Sequence, residues 1–333
     1  MKNGRRRHRT PFAVCLGLAL TMVALTGCIP RAGDGGRVGL VYMDAQGYYA
    51  GVRKGMQDSV GRLGDGLQLL ELNAQGDASK ESAFVDTVSA AGVKALVLSP
   101  VSTTASIPAV RLAHESGVKV VCYNTCLTDE ATQKYVSAWV LGDPVKFGEL
   151  AGAEAAKYFR AKGIEDPRIA VLNCETVEVC IQRRVGFEKA LFAELPKARI
   201  VTNQQGTTID QALKVADRIL SAQSRVDAFY GESGGATMGA VRAVRQRGFV
   251  GRTVVFGSDM TSDLARELAD HRVLKADVDI SGVEVGELAT RTTARVIAGE
   301  ELDDPPVVPA PVKLYSTPGE AREWLSTHPD GLP

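Results

Sequence analysis

Side chains that hydrogen-bond well recur at one kind of place in this chain, just past short runs of β-forming residues. The first run opens into Asp44, Gln46, Gly47, Tyr48 and Tyr49. Later runs end at Ser99-Pro100, Asn124-Thr125, Asn173, Gly231-Glu232-Ser233 and Ser258-Asp259. Carboxylate, amide and hydroxyl groups can each bond an OH, and paired phenol rings offer an apolar face to a pyranose. The set suits a small solute with many hydroxyls. The plainer reading is that loops are polar anyway and that Asp, Asn and Ser cap the next helix, a role Ser233 fits in particular. Asp44, Glu232 and Asp259 could also do acid–base work. Against that, there is no GxSxG, HExxH or P-loop string, and beyond His8 the chain holds only the scattered His114, His271 and His328. No enzyme activity, cofactor or metal is expected.

These residues need elements to hold them. β-rich runs fall at 37–43, 67–72, 94–98 and 118–123, then again at 168–172, 198–203, 226–230, 253–257 and 273–278. Unbroken apolar runs of this length suit strands buried on both faces of a parallel sheet. Between them lie amphipathic segments at 79–91, 103–116, 144–162, 179–194, 209–222, 234–247 and 283–298; in 144–162, Phe147, Leu150, Ala151, Ala155, Tyr158 and Phe159 recur at helical spacing. Alternating β and α units predict a doubly wound α/β fold, and two series of them predict two such sheets. The division falls near Leu141-Gly142-Asp143-Pro144. In open sheets of this kind ligands bind outside the carboxyl ends of the strands, where the polar residues lie.

The 333 residues, 45% hydrophobic and 23% charged, suffice for two ordinary domains. With aromatics at 6%, a ring-rich interface is not expected. The formal charge of zero hides an asymmetry. Lys2, Arg5, Arg6, Arg7 and Arg9 fall within residues 1–27, which hold no acid; without them 34 basic residues stand against 39 acidic ones. A mildly acidic body lacks the basic face that neutralises phosphates, so nucleic acid is not an expected partner.

After the basic start, 12–27 is a run of 16 residues without a charge, short of the roughly 20 a bilayer-spanning helix needs. A basic stretch, a short apolar run and small residues read as a secretory signal over 1–27, with a retained anchor as the alternative. Leu25-Thr26-Gly27-Cys28 resembles the bacterial lipobox, in which the cysteine sulfur takes a diacylglycerol and becomes the mature N-terminus. On that likeness Cys28 is lipidated, 28–36 is a tether, and the protein is exported and held at the outer face of the cell membrane. Cys15 falls in the signal. Cys122, Cys126, Cys174 and Cys180 remain, with three possible pairings, free thiols and a zinc site as alternatives. Neither spacing is C-x2-C and no His is near, which disfavours zinc.

The order and spacing of several strings make 37–316 similar to the type 1 periplasmic-binding-protein family, the ribose- and galactose-binding group of solute receptors. They are Gln46-Gly47-Tyr48-Tyr49 with Gly55-Met56, KALVLSP at 94–100, VKVVCYNT at 118–125, and Arg183-Arg184-Val185-Gly186-Phe187. AFYGESGGATMG at 228–239, VVFGSD at 254–259 and the segment 286–299 complete them.

The resemblance implies two lobes, 37–142 with 281–309 and 143–280 with 310–333, joined by three crossings that act as a hinge. It carries the family's paired aromatics onto Tyr48 and Tyr49, the polar residue before them onto Gln46, and other ligand-facing groups onto Asn124, Ser233 and Asp259. Ser99, Asp44, Arg183 and Asp279 are further candidates. It implies a monomer that binds a small polar solute, a sugar or polyol, and delivers it to the membrane permease of an ABC importer; a receptor feeding a membrane sensor, or the same fold binding a non-sugar small molecule, is the alternative. A DNA-binding regulator with the same sensing fold is not expected, because its helix-turn-helix would stand where the signal and Cys28 are read. Three departures make a simple aldose doubtful: the family's sugar-gripping Arg falls on Ile181, a second-lobe aromatic on Ile209, and a frequent Gln or Asn on Ile280, beside Asp279. With Cys122 and Cys126 in one lobe and Cys174 and Cys180 in the other, the likeness favours the pairs 122–126 and 174–180, since a bridge between lobes would restrict the hinge.

Overall fold

The computed structural model describes residues 36–43, 45–63, 67–300, 302 and 307–333. The signal, the lipobox with Cys28, and Asp44 lie outside the described residues. The first series runs β1 (Arg37–Tyr42), α1 (Gly47–Leu63), β2 (Gln68–Asn73), α2 (Ala78–Ala90), β3 (Ala95–Leu98), α3 (Ile107–Glu115), β4 (Lys119–Tyr123), α4 (Asp129–Tyr135) and β5 (Ala138–Leu141). The second begins with α5 (Pro144–Ala161) and continues through β6 (Arg168–Asn173), α6 (Glu178–Glu194), β7 (Arg199–Gln205), α7 (Ile209–Ala222) and β8 (Ala228–Gly231). It ends with α8 (Gly234–Gln246), β9 (Val254–Ser258), α9 (Ser262–Asp270) and β10 (Leu274–Asp279). Then come α10 (Gly282–Ile297), β11 (Val307–Pro309), β12 (Lys313–Tyr315) and α11 (Pro318–Thr327).

The strands form two six-stranded sheets of the same winding, β2-β1-β3-β4-β5-β11 and β7-β6-β8-β9-β10-β12. Every pair is parallel except β10 with β12. Central strands are apolar throughout because helices cover both faces: all four residues of β3 and all five of β9 are buried. One apolar cluster runs from Leu40 and Val97 through Phe147 and Phe159 on α5 to Ile169 and Phe256 in the second sheet. The outer faces have cores of their own, around Val110 and Leu96 in the first sheet and around Ile219 and Phe229 in the second.

The chain passes between the sheets at 142–143, 280–281 and 310–312. These segments touch: Ala310 donates its N–H to Leu141 O at 3.0 Å, and a Cβ on Gly142 would stand 2.5 Å from Ile280 Cδ1. Ile280, read from the sequence as a position near the ligand, is buried in that crossing. Behind the crossings each sheet is backed by a closely packed helix pair, α1 with α10 and α5 with α6. Glycine permits the approach. A Cβ on Gly55 would meet Val283 O at 2.1 Å, and one on Gly148 would meet Arg183 O at 1.8 Å.

Several elements are not evident from sequence pattern. α1 is interrupted by Gly51, Gly55 and Gly61 and carries no clear apolar stripe, while β5 is only AWVL. α4, α9, α11, β11 and β12 are likewise short. The helix expected over 103–116 begins at Ile107, because Ser102 Oγ accepts the N–H groups of Thr104 and Ala105 and holds a turn there.

Candidate functional site

A cavity of about 360 Å³ lies between the carboxyl ends of the two sheets. Tyr48 and Tyr49 enter it from the start of α1, and Asn124 from the end of β4. Arg183 enters from α6, Ser233 from the start of α8, and Asp259 from the end of β9. A wider opening of about 550 Å³ shares Tyr48, Thr207, Ser233 and Asp259 and adds Gln46 and Ile209. The sequence therefore identifies residues from distant elements that the fold brings together. A third space of about 350 Å³, beside Arg160, Ile164 and Lys197, lies at the far ends of α5 and α6 and draws no residue from the first sheet.

On the first-sheet side the tyrosine rings meet edge to face, with centroids 5.3 Å apart. Tyr49 Oη accepts from Asn124 Nδ2 at 3.2 Å and lies 3.4 Å from Ser99 Oγ, which bonds Thr125 Oγ1 at 2.7 Å. Burial raises the pKa of both phenols, so each stays a neutral O–H. Ser99 is fully buried and supports the site from behind. Gln46 is exposed and belongs to the outer opening alone.

On the second-sheet side Arg183 Nη1 donates to Asp259 Oδ1 at 3.0 Å, to Oδ2 at 3.3 Å and to Glu232 O at 2.8 Å. Its guanidinium lies 3.9 Å from the Phe147 ring centroid. Burial opposes the charge of Arg183, but Asp259 and other neighbours more than offset it, leaving the pKa above its ordinary value. Ser233 Oγ accepts from Ala236 N, so its capping role and its place in the cavity coexist. Asp279 does not line either space. It is buried and accepts from Met260 N at 3.1 Å, and burial with the charge of Asp259 pushes it up to about 7. Glu232, considered above for acid–base work, is also turned inward: it accepts from Cys174 N at 3.0 Å and burial pushes it up to about 8.

Sequence reasoning missed the apolar part of the lining. Met43, Val101, Val177 and Val179 all face the cavity, as do Cys174 and Cys180. The Cys–Cys spacing was a signal that this loop is special, but not that it is a wall. The sulfurs of 122 and 126 stand 2.06 Å apart and those of 174 and 180 stand 1.98 Å apart. A Glu232 oxygen lies within 4.8 Å of the second pair, the one such grouping among the described residues, but those sulfurs face each other. Ile181 is not part of the lining, while Ile209 edges the outer opening. Among the described residues no histidine lines either space, and the polar groups present are suited to holding hydroxyls.

Comparison with known proteins gives a consistent result. Residues 38–301 match the model of a periplasmic binding protein domain. The chain is 49% identical over 296 residues to the ABC transporter periplasmic-binding protein YphF of Escherichia coli, covering 89% of this chain and 90% of that one. It is 29% identical to a D-ribose/D-allose-binding protein of Pseudomonas aeruginosa, over 73% of this chain and 76% of the relative. Among solved structures, a solute-binding protein of Actinobacillus succinogenes with bound D-allose superposes with a TM-score of 0.78 at 20% identity, covering 86% and 99% of the two chains. One from Bacillus halodurans with bound myo-inositol gives 0.78 at 17% identity, covering 89% and 99%.

Proposed function

This chain belongs to the periplasmic binding protein family, and on that premise we propose that it captures a sugar or polyol between its two lobes for an ABC importer. It is a substrate-binding protein and not an enzyme, and its family acts outside the cytoplasm. The observation that carries the ligand class is the convergence of Tyr49–Asn124 from one sheet and Arg183–Asp259 from the other on one cavity. The names of relatives that bind ribose, allose and inositol support it.

The lobes are 37–142 with 281–309 and 143–280 with 310–333. Solute contacts on both sides favour the closed arrangement, and the three crossings act as the hinge. The closed lobes together then offer a surface to the permease. The ligand-facing residues are Gln46, Tyr48, Tyr49, Asn124, Arg183, Ser233 and Asp259, with Ser99 and Asp279 behind them. The protein acts as a monomer, with disulfides 122–126 and 174–180, and is anchored through lipidated Cys28. Cys28→Ser is expected to release it from the membrane fraction into the medium.

A thermal-shift screen of the purified protein against sugars, polyols, amino acids, amines and nucleosides tests the reading. A carbohydrate is expected to raise Tm, and Asp259→Ala to abolish the shift. Silence from every carbohydrate, with a shift from an amine or nucleoside, would overturn the ligand class.

A further inference from the structure

The polar groups of the cavity are unevenly distributed. On the α6 side, between Thr176 and Arg183, the wall includes Cys174, Val177, Val179 and Cys180, which pack with Leu141 of the first sheet into a small apolar cluster of their own. Thr176 lines the cavity among them, and its hydroxyl donates to Cys174 O at 3.4 Å. Beneath this loop Glu232 is turned inward, with one carboxyl oxygen accepting from Cys174 N and the other buried away from the cavity surface. Other polar groups of the lining, among them Asn124, Ser233 and Asp259, come from elements other than α6.

A fully hydroxylated ring seated in the cavity must turn one edge toward that wall. A hydroxyl there gives up its water and finds no partner, whereas a methyl or methylene group leaves water favourably. Resting on the sugar or polyol reading above, we infer that the site selects a ligand with an alkyl edge: a carbohydrate or cyclitol in which a deoxy carbon or an O-methyl group replaces a hydroxyl. That edge sits against Val177, Val179 and the two sulfurs, and the remaining hydroxyls face Asn124 and Asp259.

Calorimetric titration of the full-length protein with matched pairs tests the inference: D-fucose against D-galactose, L-rhamnose against L-mannose, and an O-methylated inositol against its parent. In the pair that binds, the deoxygenated or methylated member is expected to bind about ten- to a hundredfold more tightly. Val177→Thr with Val179→Thr, which keeps side-chain shape and adds hydroxyls, is expected to narrow that gap by improving the parent's affinity. Equal or tighter binding of the parent overturns the inference, and so does a fully hydroxylated solute that binds when all the pairs are silent. If no carbohydrate of any kind binds, the sugar reading itself fails, an outcome distinct from the other two.

Discussion

Asn124 and Asp259 occupy the same position in the two sheets. Each is the first residue past the fourth strand of its series, each has left-handed backbone, with φ of 57° and 62°, and each donates its N–H to the neighbouring strand, at Val140 O and Val278 O. For most residues with a Cβ this conformation costs about 1–2 kcal/mol, and Asn and Asp are the side chains that adopt it most readily. Two such residues facing one cavity mark it as the place where the fold holds side chains in a chosen direction.

Asn124→Gly separates backbone from side chain. Glycine suits the left-handed backbone, so the loss of the bond to Tyr49 is offset, and stability by urea denaturation is expected to stay within about 1 kcal/mol of wild type. The ligand-induced rise in Tm is expected to disappear all the same.

Asp259→Asn leaves the buried Arg183 cation without its partner. Stability is expected to fall by on the order of 3 kcal/mol in urea denaturation. Ligand affinity is expected to fall as well; full affinity in this variant would remove Asp259 from the site.

Stability is expected to decline as pH rises from 5 to 8.5. Glu232 and Asp279 are pushed up to about 8 and about 7, so the folded protein keeps protons that unfolded carboxyls release near about pH 4. Their contribution is complete below that range and is lost as pH climbs through the folded values. His271, held below its ordinary value by burial and by Lys275, acts in the opposite sense. The comparison that isolates Glu232 is therefore wild type against Glu232→Gln, whose pH profile should be flatter by up to about 1.4 kcal/mol per pH unit.

Peptide mapping without reduction is expected to recover 174 linked to 180 and 122 linked to 126. Cys174→Ser with Cys180→Ser is expected to lower stability by about 2 kcal/mol and to weaken ligand binding, because the same residues form the wall. Unchanged affinity in that variant would mean that the wall does not touch ligand.

Gly148→Ala is expected to cost several kcal/mol or to prevent folding, since its methyl group would overlap Arg183 O. Gly163→Ala, at φ 68° with open space around it, should cost only about 1 kcal/mol. Thermal melts of the two variants compare packing with backbone strain.

Local pattern was enough for the architecture. Alternation of apolar runs and amphipathic segments depends on residues close in the chain, and it determined two wound sheets and their division near Gly142. The basic start and the string that ends at Cys28 are equally local features of the sequence. Which strand-end groups face the cavity is not local. Asn124, Ser233 and Asp259 line it, while Ser99, Glu232 and Asp279, of the same residue types at similar positions, are buried behind it. That choice depends on backbone conformation at each strand end and on helices packed from elsewhere in the chain. The valine and cysteine wall was hidden for the same reason: apolar residues in a sequence signal burial, and only the tertiary structure decides whether they are buried against the core or against an empty space shaped for something else.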